Sequence, residues 1–443
     1  MMKTTRPIMR FMSSNTNASL LLFIAAILAA IVANSPLAGM YSSFFDAKVS
    51  FQMGHFNLLS HNGEPLTVLA FVNDALMTVF FFMVGLEIKR ELLVGEISSM
   101  RKAALPFIAA CGGMILPVVV YSIICSQGEG EGANGLAIPM ATDIAFSLGV
   151  LSLLGNRVPI GMKIFLTAFA VIDDIGGILV IALFYSSHLA VEYLLISLIF
   201  FFILYLGNRY DVNNKTFYFL IGIAIWYLFL QSGIHSTIAG VLIAVFVPAR
   251  PKLKIGRYLE RIRRYIKKFP ASQENSIILT NEQIETLKRL EAASDNVISP
   301  LQAMENGLHR FVNFFILPVF AFTNAGVMLS GGNGEIMGVV TIAVALGLII
   351  GKFSGIFLFT FLAVKTKIVE IPKGVNWKGL AGISLLGGIG FTVSLFIANL
   401  SFGDNLVLLN QAKLGVILGT IISGIAGYIV LHLALPKKRE IME

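Results

Sequence analysis

Charged residues and cysteines are scarce in this sequence. Asp, Glu, Lys and Arg together make up 13% of the 443 residues, and 2 residues are Cys. Soluble proteins contain about 25% charged residues, so a chain this poor in charge could not cover a water-facing surface. Two cysteines also cannot form the disulfide framework of a small secreted domain. A soluble enzyme is therefore excluded.

Apolar residues and glycine are abundant instead. Hydrophobic residues make up 56% of the chain, which contains 35 Phe and 41 Gly. This composition excludes disorder, and Gly is frequent where transmembrane helices pack closely. About twelve apolar stretches approach the length that crosses a bilayer core of about 30 Å, which predicts an all-α integral membrane protein. The stretches lie near 18–35, 67–86, 104–125, 135–153, 161–184, 191–207, 216–232, 233–248, 311–330, 337–364, 379–400 and 412–434.

The basic residues predict how these spans are oriented. With the N terminus inside, Lys and Arg concentrate on the cytoplasmic side, above all in the 249–310 loop and the 435–443 tail, while Lys48 and Lys413 lie outside. This asymmetry follows the positive-inside rule. It explains the net charge of +8 without a nucleic-acid partner. An even number of spans also returns the C terminus to the cytoplasm.

Two segments between the spans have patterns of their own. Residues 47–66 alternate between apolar and polar around two turn signals, Gly54 and Asn62-Gly63, which predicts a short external β-hairpin. The long, basic 249–310 loop separates eight predicted spans in residues 1–248 from four in residues 311–434. The chain thus divides into two membrane regions joined by a cytoplasmic loop.

The 249–310 loop contains two predicted amphipathic helices. The first has an apolar stripe at helical spacing, with basic residues off the stripe. The stripe is Ile255, Leu259, Ile262, Ile266 and Phe269, and the basic residues are Arg257, Arg261, Arg264 and Lys268. Such a helix lies either on anionic headgroups of the inner leaflet or in a solvated linker, and the sequence leaves both open. The second helix is predicted to start at Thr280, with Gln283 completing a capping box.

Among the ionisable residues inside apolar spans, four stand out: Asp143, Asp173, Asp174 and Lys352. Each costs about 2.5–3.5 kcal/mol at a helix centre on insertion scales, so such residues indicate a functional site. Asp173 and Asp174 diverge by about 100° around a helix. One carboxylate can therefore face an aqueous cavity while the other reaches a cation on a neighbouring helix.

Lys352 lies roughly midway along its apolar stretch. An isolated buried ammonium would lose its proton, whereas an ammonium beside a carboxylate can keep it. We therefore predict that Lys352 pairs with Asp173 and leaves Asp174 free. The alternatives are a Lys352 side chain that extends to the membrane interface and a carboxylate pair that only holds helices together.

Two spans are predicted to be broken. Pro139 interrupts the span near 135–153, because Pro donates no backbone hydrogen bond, and the glycine-rich segment 387–390 interrupts the span near 379–400. Broken spans in corresponding positions of two inverted repeats mark the midplane site of a transporter. Asp143 follows the first break, where it either offsets the partial charges of helix ends or contacts an ion directly.

Oxygen atoms at these breaks suit a small hard cation such as Na⁺. Besides the carboxylates, the breaks carry the hydroxyls of Thr142 and Thr392. Because a carboxylate also binds H⁺, a site that holds either ion but not both exchanges them when it opens alternately to the two sides. An intramembrane aspartyl protease would carry its two Asp residues on different helices. A passive channel would conduct Na⁺ without obligatory exchange.

The motifs of this chain together resemble those of the NhaA-type bacterial sodium/proton antiporters. The match runs from about Asn15 to the last span and includes VGLEIKRE at 84–91, ATDIAF at 141–146, IDD at 172–174, SGIHST at 232–237, FAFTNAG at 320–326 and GIGFT at 388–392. The resemblance implies twelve helices in the bacterial inner membrane with both termini cytoplasmic. It implies electrogenic exchange of internal Na⁺ or Li⁺ for external H⁺, driven by the proton-motive force, with no enzymatic activity and no cofactor.

The resemblance also implies roles for the intramembrane residues. Asp173 and Asp174 match the ion-site pair of the family, and Thr142 matches a residue near that pair. Asp143 and Lys352 match the charges where the broken helices cross. The 47–66 hairpin resembles the dimer contact of the family, which implies a homodimer embedded in membrane lipid.

pH regulation is implied in the same way. Glu87, Arg90, Glu91 and Glu305 match a regulatory cluster at the cytoplasmic mouth, and His235 resembles a residue of the pH response. On physical grounds alone, a run of charges at a helix end is most often a solvated face. A lone His near the end of a span is most often a hydrogen-bonded packing group.

Overall fold

The computed structural model describes residues 15–53, 56–61, 64–126, 132–185, 189–251, 253, 255–267, 269, 278–328, 337–371 and 374–436. Helices dominate these residues. The helices are α1 Asn15–Ala33, α2 Ala38–Asp46, α3 Val68–Val94, α4 Met100–Cys125, α5 Ile144–Leu153, α6 Ile160–Phe184, α7 Val191–Arg209, α8 Lys215–Ser232, α9 Ser236–Phe246, α10 Ile255–Lys267, α11 Asn281–Val297, α12 Pro300–Phe311 continued by Leu317–Asn324, α13 Val339–Lys365, α14 Trp377–Leu386, α15 Phe391–Phe402 and α16 Leu406–Ala434. Single π turns interrupt α3, α12 and α13 at Val72–Leu76, Val312–Ile316 and Gly347–Gly351.

The membrane-spanning character of the fold follows from helix length and composition. Within the described residues, 8 helices are long and apolar enough to cross a membrane, or up to 10 if each of two bent helix pairs is one span. Helix α9, in the predicted span near 233–248, has 11 residues, or about 16 Å at 1.5 Å per residue. Helix α12, in the predicted span near 311–330, starts well before its apolar part. The exact number of twelve spans therefore stays a prediction.

Short strands connect α2 to α3. The strands are β1 Lys48–Val49, β2 Gln52–Met53, β3 Phe56–Asn57, β4 Ser60–His61 and β5 Glu64–Thr67. The predicted hairpin is present as two small antiparallel sheets, one of β2 and β3 and one in the order β1-β5-β4. Lys48 Nζ lies 2.8 Å from Glu64 Oε2, and its hydrogen bond lowers the pKa of the Glu64 carboxyl below the ordinary value. The predicted turn residues Gly54, Asn62 and Gly63 lie outside the described residues.

The two predicted helices of the long loop are present as α10 and α11. The capping box at the start of α11 is confirmed: Gln283 N donates to Thr280 Oγ1 (3.3 Å), and Thr280 N donates to Gln283 Oε1 (3.0 Å). The hydroxyls of Tyr258 on α10 and Ser294 on α11 lie 3.1 Å apart, so the two helices pack side by side. Lys268, predicted on the polar side of the first helix, lies outside the described residues.

Both predicted breaks are present. In the first, a 3₁₀ turn at Ile138–Met140 leads into extended residues 141–143 before α5 begins at Ile144. In the second, α14 and α15 are separated at 387–390 and bent by 42°. Pro139 lies inside the short 3₁₀ turn before the first break, and the glycines follow the end of α14, so both interruptions fall where the sequence indicated.

Reciprocal hydrogen bonds join the two breaks. Ser394 Oγ on α15 donates to the Ile138 carbonyl (2.7 Å), and Ser147 Oγ on α5 donates to the Leu386 carbonyl (3.0 Å). Asp143 N also donates to the Ile389 carbonyl (2.6 Å). The helix that follows each break, α5 or α15, therefore binds a carbonyl of the segment that precedes the other break. Two repeats related by a pseudo-two-fold axis are expected to make such a reciprocal contact.

Helices α4 and α13 pack backbone to backbone beside this crossing. A Cβ atom at Gly112 would collide with the Gly355 carbonyl oxygen, and a Cβ at Gly355 would collide with the Gly112 carbonyl. Only glycine fits such an approach. Lys352 lies one turn before Gly355, so this contact fixes the depth and direction of its side chain.

Candidate ion-binding site

The centre of the site is an ion pair between α13 and α6. Lys352 Nζ lies 2.8 Å from Asp173 Oδ1 and 2.7 Å from Oδ2, and both side chains are 0% exposed. The ammonium also donates to the Met140 carbonyl and lies 5.6 Å from the centre of the Phe169 ring. The predicted pairing of Lys352 with Asp173 is confirmed, and the side chain does not extend to the membrane interface.

Asp143 caps α5 and α15, the helices that follow the two breaks. Its Oδ1 accepts a hydrogen bond from Phe146 N at the start of α5 (2.9 Å). Its Oδ2 accepts from Thr392 N (3.1 Å) and Thr392 Oγ1 (2.5 Å) at the start of α15. A carboxylate thus lies at two helix N-termini, and the Lys352 ammonium lies at a carbonyl that ends a helical turn. This is the arrangement that helix dipoles favour, so the contacts fit the first of the two roles considered for Asp143.

Asp174 lines a cleft beside the ion pair. In the described part of the chain, no Lys or Arg forms an ion pair with this carboxylate. The polar residues of the cleft wall are Glu87, Thr142, Asp143, Asp174, His309, Asn313 and Thr392. Thr142 Oγ1 donates to the Gly387 carbonyl (2.8 Å), which leaves its oxygen lone pairs available to a cation. The cleft therefore brings a carboxylate and hydroxyl oxygens together, a donor set that suits Na⁺.

An arginine cluster lies at the end of α3 beside this cleft. Arg90 Nη1 lies 2.7 Å from Glu91 Oε1, Arg90 Nε lies 2.9 Å from Glu305 Oε1 on α12, and Arg90 Nη2 lies 3.9 Å from Glu87 Oε1. The Glu91 and Glu305 side chains are only 9% and 14% exposed. The physical expectation of a solvated charge run is therefore wrong here, because α12 covers the run and supplies Glu305 as a third acidic partner of Arg90.

The structure does not bring His235 to this cluster. His235 directly precedes α9, and its neighbour Ser236 donates through Oγ to Asp74 Oδ1 (3.2 Å) on α3. Asp74 lies near the beginning of α3, whereas Glu87 and Arg90 lie near its end. Thirteen positions of helix separate Asp74 from Glu87, or about 20 Å at 1.5 Å per residue. The predicted regulatory residues thus fall into two groups near opposite ends of α3.

Two cleft residues were not predicted from the sequence. Asn313 Nδ2 lies 3.2 Å from His309 Nδ1, and both side chains line the cleft. With Glu305 they occupy positions i, i+4 and i+8 of α12, one helical face. That spacing was visible in the sequence, but the span boundary predicted at 311 divided the set.

A buried asparagine chain was also missed. Asn324 Nδ2 donates to Asn73 Oδ1 (2.9 Å), and Asn399 Nδ2 donates to Asn324 Oδ1 (2.9 Å). These contacts tie α12 to α3 and α15, and Asn324 is 0% exposed. Lys413, predicted on the outer flank of the last span, is also buried (8% exposed), because Asn405 caps α16 and starts it at Leu406.

Long apolar helices and a buried charged site between two broken helices define a multi-pass membrane transport protein. The sequence profile of the Na⁺/H⁺ antiporter 1 family matches residues 9–431, and the chain belongs to this family. It is 63% identical over 439 residues to the Na⁺/H⁺ antiporter NhaA of Bacteroides fragilis, covering 99% of this chain and 100% of the relative. It is 46% identical over 433 residues to that of Porphyromonas gingivalis, covering 96% and 95% of the two chains.

Proposed function

We propose that this protein exchanges Na⁺ for H⁺ across the membrane, and that the two ions compete for the Asp173–Asp174 pair. The observation that carries the proposal is that the two neighbouring carboxylates have different surroundings. Asp173 is neutralised by Lys352, while Asp174 lines a cleft with hydroxyl oxygens. Relatives that match the full chain are named Na⁺/H⁺ antiporters.

The competing ions define the mechanism of exchange. H⁺ on Asp174 removes the negative charge that would attract Na⁺, and Na⁺ in the cleft electrostatically disfavours protonation of the same carboxylate. Thr142 supplies a further oxygen to the metal ion. Asp143 and Lys352 keep their places at the helix ends and make the break stable in a low-dielectric environment. Exposure of the loaded site to alternate sides then exchanges one ion for the other.

The direction and setting of transport complete the proposal. Internal Na⁺ or Li⁺ leaves while more than one external H⁺ enters, so transport is electrogenic and the proton-motive force drives it. The protein lies in the bacterial inner membrane with both termini and the 249–310 loop in the cytoplasm. Lipid covers the exposed apolar belts of the helices, and two copies associate through the strands of residues 47–66.

pH regulation is assigned to the arginine cluster, with His235 as a second element. Glu87, Glu91 and Glu305 surround one guanidinium at the cleft. Protonation of Glu305 weakens the contact between α3 and α12, whereas protonation of Glu87 or Glu91 weakens a contact of Arg90 within α3. His235 belongs to the opposite end of α3 and would act there independently.

The decisive experiment is ion-dependent dissipation of a pH gradient in proteoliposomes. Na⁺ or Li⁺ is added after an imposed gradient, and internal pH is followed with a dye from about pH 6 to 9, the range in which His and raised-pKa carboxylates titrate. Antiport predicts dissipation with either ion and none with choline. It also predicts that clamping the membrane potential with K⁺ and valinomycin changes the rate. Na⁺ flux without H⁺ movement would identify a channel and overturn the proposal.

A further inference from the structure

Helix α10 keeps part of its apolar stripe exposed although it packs on α11. Ile255, Leu259 and Ile266 are 64%, 49% and 63% exposed. Steps of about 100° per residue place these three side chains within about 40° of one another on the helix. Tyr258, Ile262 and Tyr265, on the adjoining strip, are half-buried, and Tyr258 reaches Ser294 of α11. Helix α11 therefore covers one edge of the stripe and leaves the other edge bare.

Basic side chains border the bare edge. Helix α10 contains five basic residues and a single acidic residue, Glu260. Arg263 lies immediately beside the exposed strip by helical geometry, and Lys267 lies next to Arg263. Arg257 and Arg261 lie across the helix, and all four side chains are exposed. An apolar strip with cations along its open side matches a bilayer interface that presents acyl chains beneath anionic headgroups.

Backbone contacts hold α10 close to the ends of the membrane helices. Helix α9 ends at Phe246, and the chain after it is fastened twice before α10 begins. Leu301 N donates to the Pro248 carbonyl (3.1 Å), and Leu253 N donates to the Asn296 carbonyl (2.8 Å). Leu253 is itself buried (5% exposed). Helix α10 therefore starts nine residues after the end of α9, and the connecting chain is bound to the first turn of α12.

We propose that α10 docks its bare apolar edge on the anionic surface of the leaflet next to it and anchors the 249–310 loop to the membrane. The strip is too apolar for a purely solvated linker, since a helix in water gains nothing by exposing three large aliphatic side chains together. A second copy of α10 is a poor occupant, because the two strongly basic helices would repel each other. Anionic lipid offers acyl chains to the apolar strip and negatively charged headgroups to the basic side chains beside it.

Spin labels on the full-length protein test this docking. Leu259→Cys and Ile266→Cys are made after Cys111→Ala and Cys125→Ala, and each is labelled with a nitroxide. Arg257→Cys, on the opposite side of α10, is the matched control. Each protein is reconstituted into phosphatidylcholine vesicles with or without phosphatidylglycerol. Collision of the label with dissolved oxygen and with a water-soluble nickel complex is then measured by electron paramagnetic resonance.

With phosphatidylglycerol present, the labels at 259 and 266 are expected to lose accessibility to nickel and gain accessibility to oxygen, while the label at 257 stays accessible to nickel. The double substitution Arg263→Glu and Lys267→Glu should abolish the lipid-dependent shift. Persistent nickel accessibility at 259 in both lipids would identify a solvated helix and overturn the proposal. Protection with spin–spin broadening would identify a second copy and also overturn it. The readout requires no transport, so it is independent of the exchange proposal.

Discussion

At the scale of single residues, the neighbouring carboxylates of α6 have different surroundings and should respond differently to substitution. Asp174→Asn is expected to abolish Na⁺-dependent H⁺ movement, because an amide carries no charge for Na⁺ and does not bind H⁺ in this range. The protein should stay folded, since Lys352 pairs with Asp173 and not with Asp174. The measurements are exchange in proteoliposomes and melting in detergent.

The matched control is Asp404→Asn, which makes the same chemical change at an exposed position between α15 and α16. That variant should exchange ions at the normal rate. If Asp174→Asn exchanged normally while folded, Asp174 would be removed from the ion site. The cleft would then have to act through another oxygen group.

Lys352→Ala tests the ion pair. Removing one partner of a buried pair leaves an uncompensated charge and typically costs about 3–5 kcal/mol. We expect a lower melting temperature in detergent as well as impaired exchange. Lys163→Ala, at an exposed lysine of α6, should melt like the unmodified protein.

A double substitution separates lost pairing from lost packing. Adding Asp173→Asn to Lys352→Ala removes the unpaired charge, so the double variant should be more stable than Lys352→Ala alone. Strictly additive losses of stability would contradict the pairing. Either single change with unaltered melting would do the same.

Charged residues in apolar spans were the part of the site that the sequence revealed, because burying a charge is costly and conspicuous. Asp143, Asp173, Asp174 and Lys352 were all identified on that ground. His309 was not identified, because its partner Asn313 lies beyond position 311, where the sequence predicted that a new span begins. Burying a neutral asparagine costs less than burying a charge, so an Asn in an apolar span is a weaker indication of a site. The hydrogen bonds centred on Asn324 join helices that are distant in sequence, so they could be found only in the structure.

At the scale of helices, the backbone contact between α4 and α13 carries a prediction. Gly355→Val would push a branched side chain against the Gly112 carbonyl and drive the two helices apart. Because Lys352 lies one turn away, its ammonium should move away from the Asp173 carboxylate. We expect lower stability, by about 1–3 kcal/mol as for other overpacked sites, together with reduced exchange.

Gly177→Ala is the matched control, since a Cβ at that membrane position meets nothing within 4 Å. It should leave melting and exchange unchanged. A Gly355→Val protein that melted and transported normally would show that α4 and α13 can separate without disturbing the ion pair.

Helix interruptions were predictable because Pro and Gly act locally. The span around Pro139 is interrupted by a 3₁₀ turn and extended residues, and the 387–390 segment separates α14 from α15, both where expected. The strands after α2 were less predictable, because elements of two to four residues are defined by their pairing partners rather than by their own pattern. The span predicted near 233–248 is longer than the 11-residue α9, because apolar residues continue beyond both ends of this helix.

At the scale of the whole molecule, the proposed homodimer places the strands after α2 against a second copy. Ser50→Cys, exposed between β1 and β2, should form a disulfide-linked dimer on mild oxidation in membranes when Cys111 and Cys125 are replaced. Asp404→Cys, exposed in another connection, should stay monomeric on denaturing gels. Equal cross-linking of both variants would indicate random collision and contradict the assigned interface.

The Lys352–Asp173 pair and the Arg90 cluster differ in their contact with water. Lys352 and Asp173 are 0% exposed, whereas the Arg90 side chain is 31% exposed. Mobile ions screen exposed charges over about 8 Å at physiological ionic strength but screen buried pairs much less. Choline chloride at constant Na⁺ should therefore loosen the Arg90 cluster and leave the Lys352 pair intact. Any dependence of the exchange rate on inert salt would then report changes at the Arg90 cluster, separately from the proposed ion competition at Asp173 and Asp174.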